Sequence, residues 1–347
     1  MKEKKLTRDT YNNSFRLLSL KEEGRLSSDE LTKYYTDLRE YIAHRKTTNT
    51  TPGATFWGPK LKKITTRIAI AVTKLFSHKN VDWVCDGTEN IPKETCIFAH
   101  SHQGVLDGFA WMPYIKRHCL ILISAEVSKL MLLCQSNTGL IMVKKGDRRS
   151  GTNAKLDMIN LLMNGHSIVY FPEGAWNLSP NKLHLPLSYG FLDIARKANV
   201  PVVPVVHEYG YAVNDQTGKI EKIHTRYGKP IYITPEDNIH DKLEEYEDQI
   251  STMRFDLISE RGVYHRTDIN SFDYINFLKM SYKHLQIGKI DPQKEKSALF
   301  NAKDEHFLFQ HINDVPFDEN GNFLDTEETI RINKIIEREI PMSRYRR

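Results

Sequence analysis

Residues 96–109 read Cys96-Ile-Phe-Ala-His100-Ser-His102-Gln-Gly-Val-Leu-Asp107-Gly-Phe109. Cys96 to Ala99 is an apolar run of strand length, and Val105 to Ile115 is long enough for a helix. A buried strand that feeds a helix through a polar turn is the repeating unit of an α/β domain. A histidine leaving the strand and an aspartate five positions later, in the first turn of the next helix, converge over the turn. His102 and Asp107 are read either as a base and its orienter or as a strand-end histidine satisfied by backbone bonds. The carboxylate accepts the proton of one ring nitrogen, fixes the tautomer and favours the imidazolium, so the other nitrogen can take a proton from a hydroxyl.

Outward from that unit the alternation continues. Val81–Cys85, Cys119–Ile123, Ile141–Val143, Ser167–Phe171 and Val202–Val206 read as further strands. Glu126–Gln135, Thr152–Met163 and Tyr189–Lys197 lie between them as helices. The expected fold is α/β, a mixed, largely parallel sheet flanked by helices. Ser27 to Arg45 reads as a capped helix, with Ser27-Ser28-Asp29-Glu30 at its start, and a Thr/Pro/Gly linker follows from Thr47 to Thr55. The expected organisation is a separate helical arm with its linker over residues 1–55, a basic helix over 56–80, the α/β domain over 81–234 and a helical extension over 235–347. In the basic helix, Leu61, Ile64, Ile68, Ala71, Val72 and Leu75 keep helical spacing among Lys60, Lys62, Lys63, Arg67 and Lys74. That amphipathic stripe faces either the main domain or an anionic membrane surface.

Two more segments carry candidate chemistry. Phe171-Pro-Glu173-Gly174-Ala-Trp176-Asn177 stops a strand and exposes a carboxylate and a backbone turn. In a parallel sheet it would share an edge with His102. Gly139-Leu-Ile-Met-Val-Lys144-Lys145-Gly-Asp-Arg148-Arg149 gathers four cations after another strand, as an anion site or as a solvated loop. His100 and His102 also form an H-x-H, but His166, His184, His207 and His224 are scattered without carboxylate spacing that completes a ligand set, so no metal is expected.

Four blocks in this order resemble the phospholipid/glycerol acyltransferase family, which includes the 1-acylglycerol-3-phosphate acyltransferases. They are His102 to Asp107 (H-x-x-x-x-D), Gly139 to Lys145, Phe171 to Gly174 (F-P-E-G) and Val200 to Val205. Gly87 to Pro92 and Tyr227 to Ile231 agree, and the resemblance runs from Trp83 to Ile233. It implies acyl transfer from a thioester of coenzyme A or acyl carrier protein to a hydroxyl, with His102 as general base, Asp107 as its partner and no metal or redox cofactor. It also implies that Glu173 and Gly174 help bind the acceptor and that Lys145 stands where an arginine usually binds phosphate. Two positions depart from the family. Ala175-Trp176-Asn177 replaces Thr-Arg-Ser, and Pro186-Leu187-Ser188-Tyr189-Gly190 replaces Pro-Phe-Lys-x-Gly. With those two cations absent, Lys144, Lys145, Lys182 or Arg148 must serve a phosphate, or Trp176 and Asn177 meet a glycan or other neutral alcohol. A non-catalytic acyl- or lipid-binding module is the reading of another class.

Composition sets the outer bounds. The 347 residues carry 49 Lys and Arg against 44 Asp and Glu, a net charge of +5, too mild for a nucleic-acid binder. At 40% hydrophobic and 27% charged, the chain is neither disordered nor fibrous as a whole. Cys85, Cys96, Cys119 and Cys134 are widely spaced and read as reduced, buried thiols. The polar residues after Met1–Lys5 do not read as a signal peptide, and Val105 to Ser124 is interrupted by Asp107, Lys116, Arg117 and His118, so no span is expected. The expected location is cytoplasmic, peripheral at the inner face of a membrane.

Overall fold

The computed structural model describes residues 24, 26–51, 64, 67–68, 71, 82–103, 107–110, 114–115, 117–125, 139–144, 147–174, 177, 183–209, 213–214, 219–220 and 222–260. Seven strands form one sheet: β1 (Asp82–Asp86), β2 (Ile97–His100), β3 (Cys119–Ser124), β4 (Leu140–Val143), β5 (Ser167–Tyr170), β6 (Val202–Tyr209) and β9 (Lys222–Tyr227). A small hairpin, β7 (Val213–Asn214) with β8 (Lys219–Ile220), lies between β6 and β9 in sequence. The sheet order is β1-β9-β6-β2-β5-β3-β4. From β6 to β4 every pair is parallel, and β9 runs antiparallel to β6. This is the mixed, largely parallel sheet that the alternation implies.

Central strands are buried on both faces because helices or loops cover each side. Along β2, Ile97 and Ala99 enter one core, while Cys96 and Phe98 alternate into the other. The first core lies under α3 (Arg148–Met163), α4 (Gly190–Ala198) and α5 (Ile239–Glu260), which pack on the sheet. The second includes Ile115, Val169, Val203, Val205 and Tyr227. A short helix, α2 (Asp107–Ala110), follows β2. Gly87 closes the turn after β1 with φ +72°, and a Cβ there would lie 2.2 Å from the Tyr227 carbonyl oxygen. Only glycine satisfies both constraints.

The first helix, α1 (Ser28–Ala43), is capped as its sequence demands. Glu30 N–H donates to Ser27 Oγ at 3.2 Å, and Ser27 N–H donates to Glu30 Oε2 at 2.9 Å. It is not a separate arm. Leu31, Tyr35, Leu38 and Ile42 are buried in the first core, and the helix packs on α3 and α4. Asp157 of α3 fixes the chain beyond it, accepting from Arg45 at 2.9 Å and from the backbone N–H groups of Thr48 and Asn49 at 2.8 and 2.6 Å. Residues 49–51 then run beside β4, with Met142 N–H bonded to the Asn49 carbonyl and Thr51 N–H to that of Leu140.

The boundary expected near residue 234 also falls within one packed unit. Leu243, Tyr246, Ile250, Met253 and Leu257 of α5 complete the first core, and Tyr246 Oη donates to the Ala99 carbonyl at 3.0 Å. Cys85, Cys96 and Cys119 are free thiols, the latter two buried. Cys134, the Glu126–Gln135 helix and residues 261–347 lie outside the described residues. So does most of the basic helix. Its described members, Ile64, Arg67, Ile68 and Ala71, are helical and exposed. No helix among the described residues is long and apolar enough to cross a membrane.

Candidate active site

Because β2 and β5 are parallel neighbours, with Ala99 opposite Tyr170, the two polar turns that follow them meet at one sheet edge. His102 follows β2 and Glu173 follows β5. His102 Nδ1 lies 3.0 Å from Asp107 Oδ2, and Asp107 is fully buried while the His102 side chain is 19% exposed. The same carboxylate oxygen accepts the Gln103 N–H at 2.5 Å. Asp107 thus orients both the ring and the turn that carries it. The ring stacks on Phe171, with centroids 4.2 Å apart. Nε2 is the ring nitrogen opposite the carboxylate and the one suited to take a proton.

The His102 main chain is held on both sides. Its N–H donates to Glu173 Oε1 at 2.7 Å, and its carbonyl accepts from Asn177 N–H at 2.5 Å. Glu173 Oε2 accepts from Leu185 N–H at 2.8 Å. Glu173 is 2% exposed, and its carboxylate braces the loop behind the base. Burial pushes its pKa up to about 7, against the two N–H bonds and the Arg254 charge, which pull it down. Asn177 is likewise buried. Gly174 is exposed at φ +61°, a left-handed turn that brings the chain around from Glu173.

Beneath this turn lies a second, fully buried set. His100 Nδ1 and His207 Nε2 are 2.7 Å apart, and His207 Nδ1 is 3.0 Å from Thr225 Oγ1. Burial lowers the pKa of both rings, that of His207 to about 4, so the pair is neutral at physiological pH. His100 and His102 therefore have different partners, and the H-x-H does not present both rings to one point. Among the described residues one group, Asp86, His224 and Glu260, has metal-ligand spacing. Arg226 bridges its two carboxylates at 2.7 and 2.8 Å, which makes it an ion-pair network.

The basic block divides from this centre. Lys144 follows β4 and Arg148 begins α3, both exposed. β4 is three strands from β2, roughly 14 Å at the usual spacing between strands. Lys145, Trp176 and Lys182 lie outside the described residues. The residues that sequence reading missed are Gln103, Glu208 and Arg254. Glu208 Oε2 accepts from Gln103 Nε2 and from Arg254 Nε, each at 3.1 Å. The available signal was a cation four positions after Ile250, next to the apolar stripe of an otherwise acidic helix.

Residues 83–208 match the family model described as Acyltransferase, which spans His102, Asp107 and Glu173. The chain is similar to the chloroplastic 1-acyl-sn-glycerol-3-phosphate acyltransferase BAT2 of Brassica napus, 29% identical over 122 residues, covering 34% of this chain and 35% of that protein. It is also similar to the 1-acyl-sn-glycerol-3-phosphate acyltransferase beta of Homo sapiens, 29% identical over 120 residues, covering 32% of this chain and 41% of that protein. The match thus spans well under half the length of either relative. Among solved structures, the 1-acyl-sn-glycerophosphate (LPA) acyltransferase PlsC from Thermotoga maritima aligns with a TM-score of 0.47 at 18% identity, covering 67% of this chain and 90% of that one.

Proposed function

We propose, from the match of residues 83–208 to the family model described as Acyltransferase, that the chain moves a fatty acyl group from an acyl thioester to the hydroxyl of a lysophospholipid-type acceptor. The observation that carries this reading is the 3.0 Å contact between His102 Nδ1 and Asp107 Oδ2, with the ring partly exposed where two parallel strands end. His102 Nε2 removes the hydroxyl proton as the acceptor oxygen attacks the thioester carbonyl carbon. Asp107 stabilises the imidazolium so formed. When the tetrahedral adduct collapses, the C–S bond breaks and the imidazolium returns its proton to the departing thiolate. Protons and electrons balance, and the step calls on no metal or redox cofactor. The donor is an acyl group on coenzyme A or on acyl carrier protein.

The acceptor is the less constrained half. A phosphate-bearing acceptor needs cations, and Lys144 and Arg148, with Lys145 beside them in sequence, are the candidates at this edge of the sheet. A second reading, a glycan or other neutral alcohol, is favoured by the replacement of Thr-Arg-Ser by Ala175-Trp176-Asn177. The site works at the cytoplasmic face of an anionic membrane, where the lipid partners are found. Ile64 and Ile68, one helical turn apart and 51% and 58% exposed, support that contact, with Arg67 beside them. The test is thiol release by the purified chain from palmitoyl thioesters of coenzyme A and of acyl carrier protein, against lysophosphatidate, other lysophospholipids, glycolipids and neutral sugars. Release dependent on a lysophospholipid supports the leading reading. Release with sugars alone supports the second, and none with any pair leaves a lipid-binding module.

A further inference from the structure

Arg254 lies outside the family segment, on α5, and is 4% exposed. Its guanidinium donates through Nε to Glu208 Oε2 at 3.1 Å and through a terminal nitrogen to the Leu183 carbonyl. From Glu208 the contacts pass to Gln103 Nε2 at 3.1 Å, and from the Gln103 N–H to Asp107 Oδ2 at 2.5 Å. From Leu183 the chain runs two residues to the Leu185 N–H, which donates to Glu173 Oε2 at 2.8 Å, and Glu173 Oε1 accepts the His102 N–H at 2.7 Å. Asp107 and His102 then meet at 3.0 Å, which closes a ring. Its members come from the β2 turn, α2, the β5 turn, the 183–185 segment, β6 and α5.

We propose that Arg254 is a positioning residue for His102, the fork that ties together the two arms bracing the base. A single guanidinium suits the task because its donors diverge in a fixed plane and reach two acceptors on different segments at once. Its charge offsets that of Glu208, which is 1% exposed. α5 is therefore part of the catalytic unit through its hold on the two segments that brace the base. This inference rests on the acyltransferase reading only for its kinetic readout.

The experiment compares the full-length wild type with Arg254→Met and with the double variant Arg254→Met/Glu208→Gln, in which the acid opposite the lost cation is made neutral as well. Amide hydrogen exchange is read at His102 and Leu185, with Leu161 and Leu162 of α3 as the internal reference, and thiol release gives kcat and KM. Both variants are expected to speed exchange at His102 and Leu185 by about tenfold relative to α3. Where release is measured, kcat falls by about 10²-fold with little change in KM, as for a misplaced base. The double variant is expected to recover the thermal midpoint but not kcat. Exchange accelerated equally in α3, or kcat restored together with the midpoint, would show that Arg254 acts through stability alone and overturn the proposal. A wild type inactive with every donor and acceptor would remove the acyltransferase reading and leave the exchange comparison to decide the role of Arg254.

Discussion

The backbone N–H of His102 donates to the buried carboxylate of Glu173 at 2.7 Å, so the glutamate of the Phe171–Gly174 turn holds the base by its main chain. Glu173→Gln keeps the volume but can turn an amide N–H against one of two N–H donors, those of His102 and Leu185. Above pH 7, where Glu173 is ionised, loss of one hydrogen bond to the charged group costs about 1.5–3 kcal/mol. The expected result is a fall in kcat of about ten- to a hundredfold without a matching rise in KM for the acceptor. A variant whose kcat is unchanged would show that the brace is dispensable.

Glu173 also makes a signed contribution to stability. Its pKa, raised by burial to about 7 from an ordinary 4.5, means that the folded state holds a proton that the unfolded state has lost between those values. Its contribution therefore weakens as pH rises from about 4.5 to 7. The difference in thermal midpoint, wild type minus Glu173→Gln, should decrease across that window. A difference that stays flat would contradict the raised value.

His207 acts in the opposite direction. Its pKa is lowered by burial to about 4 from 6.5, so below pH 6.5 the unfolded state takes up a proton that the folded state refuses. Stability from this group is complete above pH 6.5 and is lost as pH falls toward 4. His100, the stacked neighbour 2.7 Å away, is lowered as well and adds to the same acid limb. Replacing His207 by Gln should flatten the decline of the thermal midpoint on acidification. A decline as steep as in the wild type would contradict this assignment.

Asp157 sets the docking of the N-terminal segment. It accepts from Arg45 and from the N–H groups of Thr48 and Asn49, so Asp157→Ala leaves three donors short of a partner. Thr48 is exposed and Arg45 and Asn49 are half-buried, so water meets part of the loss, and at about 0.5–1.5 kcal/mol for each bond the expected loss is a few kcal/mol, measured by urea denaturation. Limited proteolysis should then cut between residues 44 and 51 well before the rest of the domain. Equal resistance in both proteins would show that the helix docks through its apolar face alone.

Lys144→Ala and Arg148→Ala discriminate between acceptors. If these exposed cations meet a phosphate, KM for a lysophosphatidate acceptor rises while kcat is largely kept, and a neutral acceptor is unaffected. Equal kinetics with both acceptors would assign the block to the solvated surface.

Much of the fold is legible because strands buried on both faces read as apolar runs. β2, β3, β4 and β5 fall within a residue or so of their sequence bounds. β9 is missed because its pattern is a plain alternation, Ile223, Thr225 and Tyr227 inward with His224 and Arg226 partly outward, in a stretch that carries no long apolar run. The proximity of His102 to Glu173 is legible once the strands are taken as parallel. The clamp by Arg254 is not, since it joins residues 46 and 71 positions away and depends on how α5 lies against β6. For the same reason, the charged cap and linker of α1 suggest a free arm until Asp157 is seen to bind it.

The most direct test of the central claim is thiol release by His102→Ala beside the wild type, with far-UV circular dichroism to establish that both are folded. Loss of the general base should lower turnover by about 10²- to 10⁴-fold in a protein with an unchanged spectrum. Turnover equal to that of the wild type would contradict the mechanism built on His102 and Asp107.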